Sequence, residues 1–571
     1  MDSFTIQNNG LEAQSFSALC DVTLRRLQER GCALAENGER ICITLDASLQ
    51  EDEYFVSAKP ERVQVRAGGV SGAFAGIGAF LESCAFDGRG QCRPFVGEKH
   101  LKPVNPIHGM YFATHFRNFY ESAPVDEVLA IIGDLALRGS NALMIWYDMH
   151  QYTGVDDPQS VEMIARLKSF MRYASICGMK TVFLKLANET FSGSDPAIRA
   201  EWTAQNGYVQ APYGHYHLEI CPNKEGGLAE ILRQRRIVME AFADVKLDYI
   251  VEWPYDQGGC TCEKCAPWGG NGLLKTVDAL HELYREILPD AKILLSTWYF
   301  ERFYKGEWDA FNAQLNAGRC GYVDFLFGYF ANDEFVPDYI RNGDMPGGKR
   351  MVAFPEISMW GAEPWGGFGA NPMPERMESN FRENGGLYCG ALPYSEGIFE
   401  DINKCMMLAF YSGKTKSAEE VLRTYARFEL CIQGEALIED FVRMCRGMEA
   451  LLPRRQEYAD GRRQIGRLKS DVRYEDVRFT IRNPADAEEV EALSAKLDAA
   501  LPEAIRSSWR WRVLRLRAIA DLELVKNHMA LSPRFEKCME ELTRIYHAEN
   551  AYYVVSPLTR DAVLEARGGD L

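Results

Sequence analysis

Four carboxylates stand just past short apolar runs of this chain: Glu252 and Asp256 in YIVEWPYD (249–256), Glu356 in MVAFPEISMW (351–360) and Glu396 in LYCGALPYSEG (387–397). Each has an aromatic residue within two positions, and Glu356 also has Trp360 four on. Cleaving a glycosidic bond takes two carboxyl groups, a protonated one for the leaving oxygen and an ionised one as nucleophile or base. Asp256 or Glu252 is the expected acid, with Trp253 and Tyr255 raising its pKa by desolvation. Glu356 is the expected nucleophile or base, with Glu396 in reserve. Trp253, Tyr255, Trp298, Trp360 and Tyr394 offer faces that stack on the C–H side of a sugar ring. His115 and Arg117, after the first apolar run, are expected to hold hydroxyls. One such carboxylate alone would read as a solvated loop residue; four together, each after an apolar run, are harder to read that way. Neither G-x-S-x-G nor H-E-x-x-H is present, so no motif points to a serine or zinc-water hydrolase.

A second cluster follows the fourth apolar run: Cys260, Cys262 and Cys265, with Cys221 in EICPNKEGG as a fourth candidate. Thiolates in fours with C-x2-C spacing are the usual ligands of structural zinc, and one zinc is expected here; three reduced thiols in a tight loop is the plainer reading. No cofactor is expected to be needed for catalysis.

The elements that must carry these residues show in the patterning. Eight apolar runs recur between 107 and 397: IHGMYFATH, ALMIWYDM, TVFLKLANE, YIVEWPYD, ILLSTWYF, YVDFLFGYF, MVAFPEISMW and LYCGALPYSEG. Amphipathic segments such as VDEVLAIIGDLALRG (125–139) and LLKTVDALHELYREIL (273–288) lie between them. Near-continuous apolar strands alternating with helices predict a (β/α)8 TIM barrel over 104–401, with its active site at the strand C-terminal ends. An open doubly wound sheet is the alternative, but no Gly-rich phosphate fingerprint follows the first run. Before the barrel, RICITLD, EYFVSA, RVQVRA and the helix-like SGAFAGIGAFLESC predict an α+β accessory domain over 1–103, with LKPVNP as linker. After it, SAEEVLRTYARF opens with the capping box Ser417 and Glu420, and 402–571 is expected to be helical.

The net charge of −17 argues against nucleic acid or an anionic membrane as main partner. The opening MDSFTIQNNG has no basic or apolar leader character, and sixteen cysteines without one read as thiols, so a cytoplasmic location is expected. Self-association is left open.

The stretch DEYFVSAKPERVQVRAGGVSGAFAGIGAFLESC resembles the accessory domain before the barrel of family 20 β-N-acetylhexosaminidases and family 67 α-glucuronidases. The order of accessory domain, barrel and helical domain is similar too. The resemblance implies a glycoside hydrolase, exo-acting on small oligosaccharides, β-N-acetylhexosaminidase-like first and α-glucuronidase-like second. It also implies that Arg117 grips the terminal sugar. Family 20 carries an adjacent Asp-Glu pair in a Gly-Gly-Asp-Glu context, where this chain has Glu252-Trp-Pro-Tyr-Asp256-Gln-Gly-Gly; assistance by a substrate acetamido group is therefore not implied. Arg117 and Lys185 would suit a uronate. A non-catalytic carbohydrate-binding barrel and a magnesium-dependent lyase or isomerase are the readings from other classes.

Overall fold

The computed structural model describes residues 3–34, 38–60, 62–115, 118–208, 218–254, 259–298, 300–301, 303–330, 338–358, 365, 369–452, 484–527 and 532–548. Arg117, Tyr255, Asp256 and Trp360 lie outside the described residues.

The chain opens with β1 (Ser3–Asn9), α1 (Ala13–Gln28), β2 (Ala33–Leu34), β3 (Glu39–Leu45), β4 (Tyr54–Lys59), β5 (Arg62–Ala67) and α2 (Val70–Ser83). The short β6 (Ala85–Phe86) and β7 (Cys92–Arg93) pair with each other, and β8 (Gly97–Leu101) completes a six-stranded sheet in the order β2-β1-β3-β5-β4-β8. In β5 buried Val63, Val65 and Ala67 alternate with more exposed residues, the period-2 pattern of a half-covered strand. Both α1 and α2 pack against the first barrel helix.

All eight apolar runs become strands of one parallel sheet. The first is split into β9 (Ile107–His108) and β10 (Met110–Phe112). After α3 (Phe119–Ser122) and α4 (Val125–Leu137) come β11 (Ala142–Trp146), α5 (Pro158–Ile176), β12 (Lys180–Leu186), α6 (Gly227–Ala241) and β13 (Tyr249–Trp253). Then follow α7 (Gly272–Ile287), β14 (Lys292–Ser296), α8 (Glu307–Asn316), β15 (Phe325–Phe330), α9 (Asp338–Arg341), β16 (Arg350–Pro355) and α10 (Pro374–Asn384). The eighth strand is split into β17 (Gly390–Ala391) and β18 (Tyr394–Ser395) before α11 (Asp401–Ser412). Tyr111 and Phe112 of β10 pair with Tyr394 and Ser395 of β18, so the sheet closes on itself. Glycine permits that closure: a Cβ on Gly390, whose φ is +147°, would stand 2.0 Å from the Ile107 carbonyl oxygen.

Alternation within each strand sorts the side chains into two cores. Tyr111, Met144, Trp146, Leu184, Leu186, Val251, Trp253, Phe327, Phe354 and Tyr394 fill the barrel. Ile145, Phe183, Ile250, Leu295 and Ala353 face the surrounding helices. The chain then continues through α12 (Ala418–Phe428) and α13 (Glu435–Ala450) to helices Pro484–Ala500, Glu503–Arg506, Trp509–Lys526 and Pro533–Ile545. Ser417 caps α12 by accepting from the Glu420 N–H at 3.3 Å, as the capping box predicts. No helix among the described residues is long and apolar enough to cross a membrane.

Candidate functional site

At the C-terminal ends of the strands the barrel closes on a floor of aromatic rings. Tyr111 lies 5.6 Å from Phe354 and 5.7 Å from Tyr394, centroid to centroid. Trp253 lies 5.0 Å from Phe354 and 5.4 Å from Phe327. The half-buried Trp298 rests on this layer, 5.1 Å from Trp253 and 5.4 Å from Phe354. Trp253 thus fills the barrel, buried among these rings, and does not offer the open face expected for stacking on a sugar. The barrel is wide enough because small Ala113, Ala142 and Val182 share its interior. Only Trp298 of the described tryptophans expected at the rim keeps a partly open face.

Two of the expected carboxylates meet over this floor. Glu356 continues the inward row of Val352 and Phe354 and forms an isolated bridge with Tyr394. Its Oε1 accepts from the Ser358 N–H at 2.7 Å and the Ser358 hydroxyl at 3.1 Å. Glu396 accepts from the Tyr394 hydroxyl at 2.9 Å. Burial, then the charges of Glu396 and Glu356, push the Tyr394 phenol well above its usual range, so it stays a proton donor between them. The turn bearing Glu396 is held from behind: Glu400 Oε1 accepts from the N–H groups of Glu396 at 2.6 Å and Gly397 at 2.8 Å. The Tyr546 hydroxyl, from just past helix Pro533–Ile545, donates to the Glu396 carbonyl at 2.8 Å.

Glu252 is not at this site. It shares the outward row of Ile250, and its Oε1 accepts from Arg235 of α6 at 2.7 Å and from the Tyr284 hydroxyl of α7. Burial does raise its carboxyl, opposed by Arg235, but enclosure between strand and helices is the cause, and Trp253 points the other way. This placement replaces the expected role as acid with that of a brace between strand and helices. Lys185 likewise faces outward, its ammonium 3.1 Å from Glu189 and 2.7 Å from the Tyr147 carbonyl oxygen, and is not available to a uronate.

The opposite wall was less legible. His115, three residues past β10, has its ring 5.0 Å from Trp146 and 6.1 Å from Tyr394. Burial lowers its pKa to about 4, Asp148 opposing and His150 reinforcing, so it is neutral near pH 7. Asp148 shares the inward parity of Trp146 and holds His150 through Nδ1 and Gln151 at 2.9 Å. Burial disfavours charge on His150, yet the Asp148 hydrogen bond and charge outweigh it and raise its pKa. Parity with Trp146, two residues earlier, was the signal that could have singled out Asp148. A hollow of about 720 Å³ at the other end of β16, lined by Arg350, Met351 and Tyr388 among others, lies where barrels keep stability rather than chemistry.

Beside this mouth the four cysteines converge. Cys221 Sγ lies 3.8 Å from Cys262 Sγ and 3.7 Å from Cys265 Sγ, and the four sulfurs all lie within 4.8 Å of one another.

A closed parallel barrel with a preceding mixed sheet and following helices is a fold shared with solved glycoside hydrolases. Among solved structures it is similar to a family 115 4-O-methyl-α-glucuronidase with specificity for decorated arabinogalactans, at TM-score 0.60 and 12% identity over 98% of this chain and 78% of that one. It is similar to a family 89 glycoside hydrolase of Clostridium perfringens, solved with GlcNAc-α-1,4-galactose, at TM-score 0.59 and 11% identity over 93% and 64%. A family 20 exo-β-N-acetylglucosaminidase of Vibrio harveyi aligns at TM-score 0.52 and 12% identity over 75% and 74%. At such identities the shared property is the fold. No protein-family model matches the chain, and no curated protein does.

Proposed function

We propose that the chain is a glycoside hydrolase that removes a terminal sugar from small oligosaccharides, with Glu356 and Glu396 as its working carboxylates. The observation that carries this reading is the convergence of Glu356, Tyr394 and Glu396 over the aromatic floor at the barrel's C-terminal end. One carboxylate serves as nucleophile or base at the anomeric carbon and the other binds hydroxyls or relays a proton through Tyr394. Asp256, on the loop after β13, is the proposed acid, with Arg117, Tyr255 and Trp360 as sugar contacts. His115 is neutral near pH 7 and can accept as well as donate to a hydroxyl. A 2-acetamido-β-hexoside is the proposed substrate, because the close-set rings suit the methyl of an acetamido group. Lys185, one of two cations on which a uronate reading leaned, is engaged elsewhere. The family 20 neighbour, an exo-β-N-acetylglucosaminidase, supports the same choice.

The test is a panel of aryl glycosides, 2-acetamido-β-hexosides and α-glucuronides included, assayed at pH 5–8 with wild type, Glu356→Gln, Glu396→Gln and Asp256→Asn. Loss of about 10²–10⁴ in kcat is expected in a variant that lacks the acid, base or nucleophile. Wild-type turnover left intact in both glutamine variants, or no turnover of any substrate, would overturn the assignment.

A further inference from the structure

We propose that Cys221, Cys260, Cys262 and Cys265 bind one Zn2+ in a closed, structural site that staples the long segment after β12 to the loop after β13. This rests on the cysteine geometry alone and stands whether or not the chain cleaves glycosides.

The four thiols come from two separate stretches of chain. Cys221 ends the excursion after β12, where Arg199 bridges Ile220 and the Cys221 N–H donates to the Ile198 carbonyl at 3.0 Å. The other three lie between β13 and α7. The N–H groups of Cys265 and Ala266 both donate to the Cys262 carbonyl, at 2.9 and 3.0 Å, and this turn brings the C-x2-C pair to one side. A tetrahedral thiolate site with Zn–S bonds of about 2.3 Å has S···S edges of roughly 3.8 Å. The observed 3.7 and 3.8 Å edges match. A disulfide would need about 2.05 Å, and all four cysteines are free.

The surroundings suit thiolates. Asn223 Nδ2 donates to Cys265 Sγ at 3.1 Å, and the Glu201 N–H donates to Cys260 Sγ at 3.4 Å. Asn223 is itself oriented by Lys275 Nζ at 2.6 Å. Such outer partners fix metal-bound ligands and favour their charged form. Cys221, Cys260 and Cys265 are buried and Cys262 is half-buried, so the metal would be shielded. Four protein ligands leave no position for water or substrate, which makes the role structural.

The staple would act on the rim of the sugar site. The segment after β12 carries Trp202 and Tyr208, which pack on Phe303 and Tyr304 after β14. Tyr208 Oη also accepts from the Trp268 N–H at 2.6 Å in the cysteine loop. Zinc would therefore hold together the loops following β12, β13 and β14, three neighbours in the barrel wall.

Elemental analysis of the full chain, purified reduced and without chelator, should give about one zinc per chain. Cys221→Ser and Cys262→Ser should lose the metal and melt lower, while Cys20→Ser, far from the cluster in sequence, should keep it. Because the serine variants could fail to fold, Co2+ added to reduced, metal-stripped wild type gives an independent reading. Thiolate-to-cobalt charge-transfer absorption with the strong d–d bands of a tetrahedral site is expected. Below about 0.2 equivalents of zinc together with no such band, or a coloured protein with iron in place of zinc, would overturn the proposal.

Discussion

Glu252 and Glu356 are both buried glutamates at the ends of barrel strands, yet the two belong to different chemistries. Glu252 stands at 0% exposure against Arg235 at 2%. Removing one partner of a buried pair leaves the other charge uncompensated, at a cost of about 3–5 kcal/mol. Glu252→Gln is therefore expected to lower the denaturant midpoint strongly while leaving kcat per folded molecule nearly unchanged, which unfolding curves and active-site titration would separate. A variant as stable as wild type but catalytically dead would return Glu252 to the mechanism. His115 makes a prediction about acid. Its folded pKa of about 4 lies below the unfolded value near 6.5. Between those values the unfolded chain holds a proton that the native chain lacks, so stability falls as pH falls through this window, by on the order of 3 kcal/mol in all. His115→Gln should flatten the stability profile between about pH 6.5 and 4; a profile unchanged from wild type would show that this histidine does not titrate as its surroundings imply.

At the scale of elements, much of the barrel was legible because parallel strands covered on both faces read as continuous apolar runs. The same continuity hid which way each residue points. In YIVEW every position is buried, so nothing in the run separates the lumen-facing Trp253 from the outward Glu252. The runs also overshot the strands, since Ala113, Tyr147 and Ala187 just past them are buried as well. The accessory sheet was read from its central strands β3, β4 and β5. The edge-side β1, SFTIQNN, is too polar to announce itself, and α1 buries Thr23 and Arg26, which blurs its apolar stripe. The cysteines were legible by spacing, whereas the Asp148–His150 pair, at the end of the run ALMIWYDM, was not singled out. Parity with Trp146 hints at Asp148, but the nearness of the pair to His115, from another strand end, is encoded by no local pattern. Last, the contact from Tyr546 to the Glu396 carbonyl spans 150 residues of chain; a helix tail and a strand-end turn so far apart leave no local sign of their meeting.

At the scale of the whole molecule, one buried group of charges joins the accessory sheet, the barrel and the C-terminal helices. Arg26 of α1 and Arg30, two residues past its end, reach Glu429 after α12, and Arg26 also approaches Asp134 of α4 at 3.5 Å. Arg138, at the end of α4, pairs with Asp401 of α11 and with Glu429, each at 2.7 Å. Arg510, in helix Trp509–Lys526, reaches Asp134 at 2.5 Å and Asp401 at 3.1 Å. Burial alone would raise the carboxyl of Glu429, but Arg26, Arg510, Arg138 and Arg30 hold it well below the usual carboxylate range. Deleting residues 1–100 would strip Arg26 and Arg30 from this group and uncover the apolar face of α4 beneath α1 and α2. The truncated chain is expected to aggregate, as light scattering would show; a soluble, fully active 101–571 fragment would mean that the accessory sheet contributes nothing to the barrel. The network also constrains how such a chain can diverge. Arg26 and Glu429 lie 403 residues apart, yet losing either alters the charge balance of the whole buried group, and losing Glu429 leaves Arg26, Arg30, Arg138 and Arg510 short of a shared carboxylate. Drift at positions 26, 134, 138, 401, 429 and 510 should therefore be concerted, and swapping the first hundred residues for those of a distant cousin should fail unless the matching carboxylates travel with them.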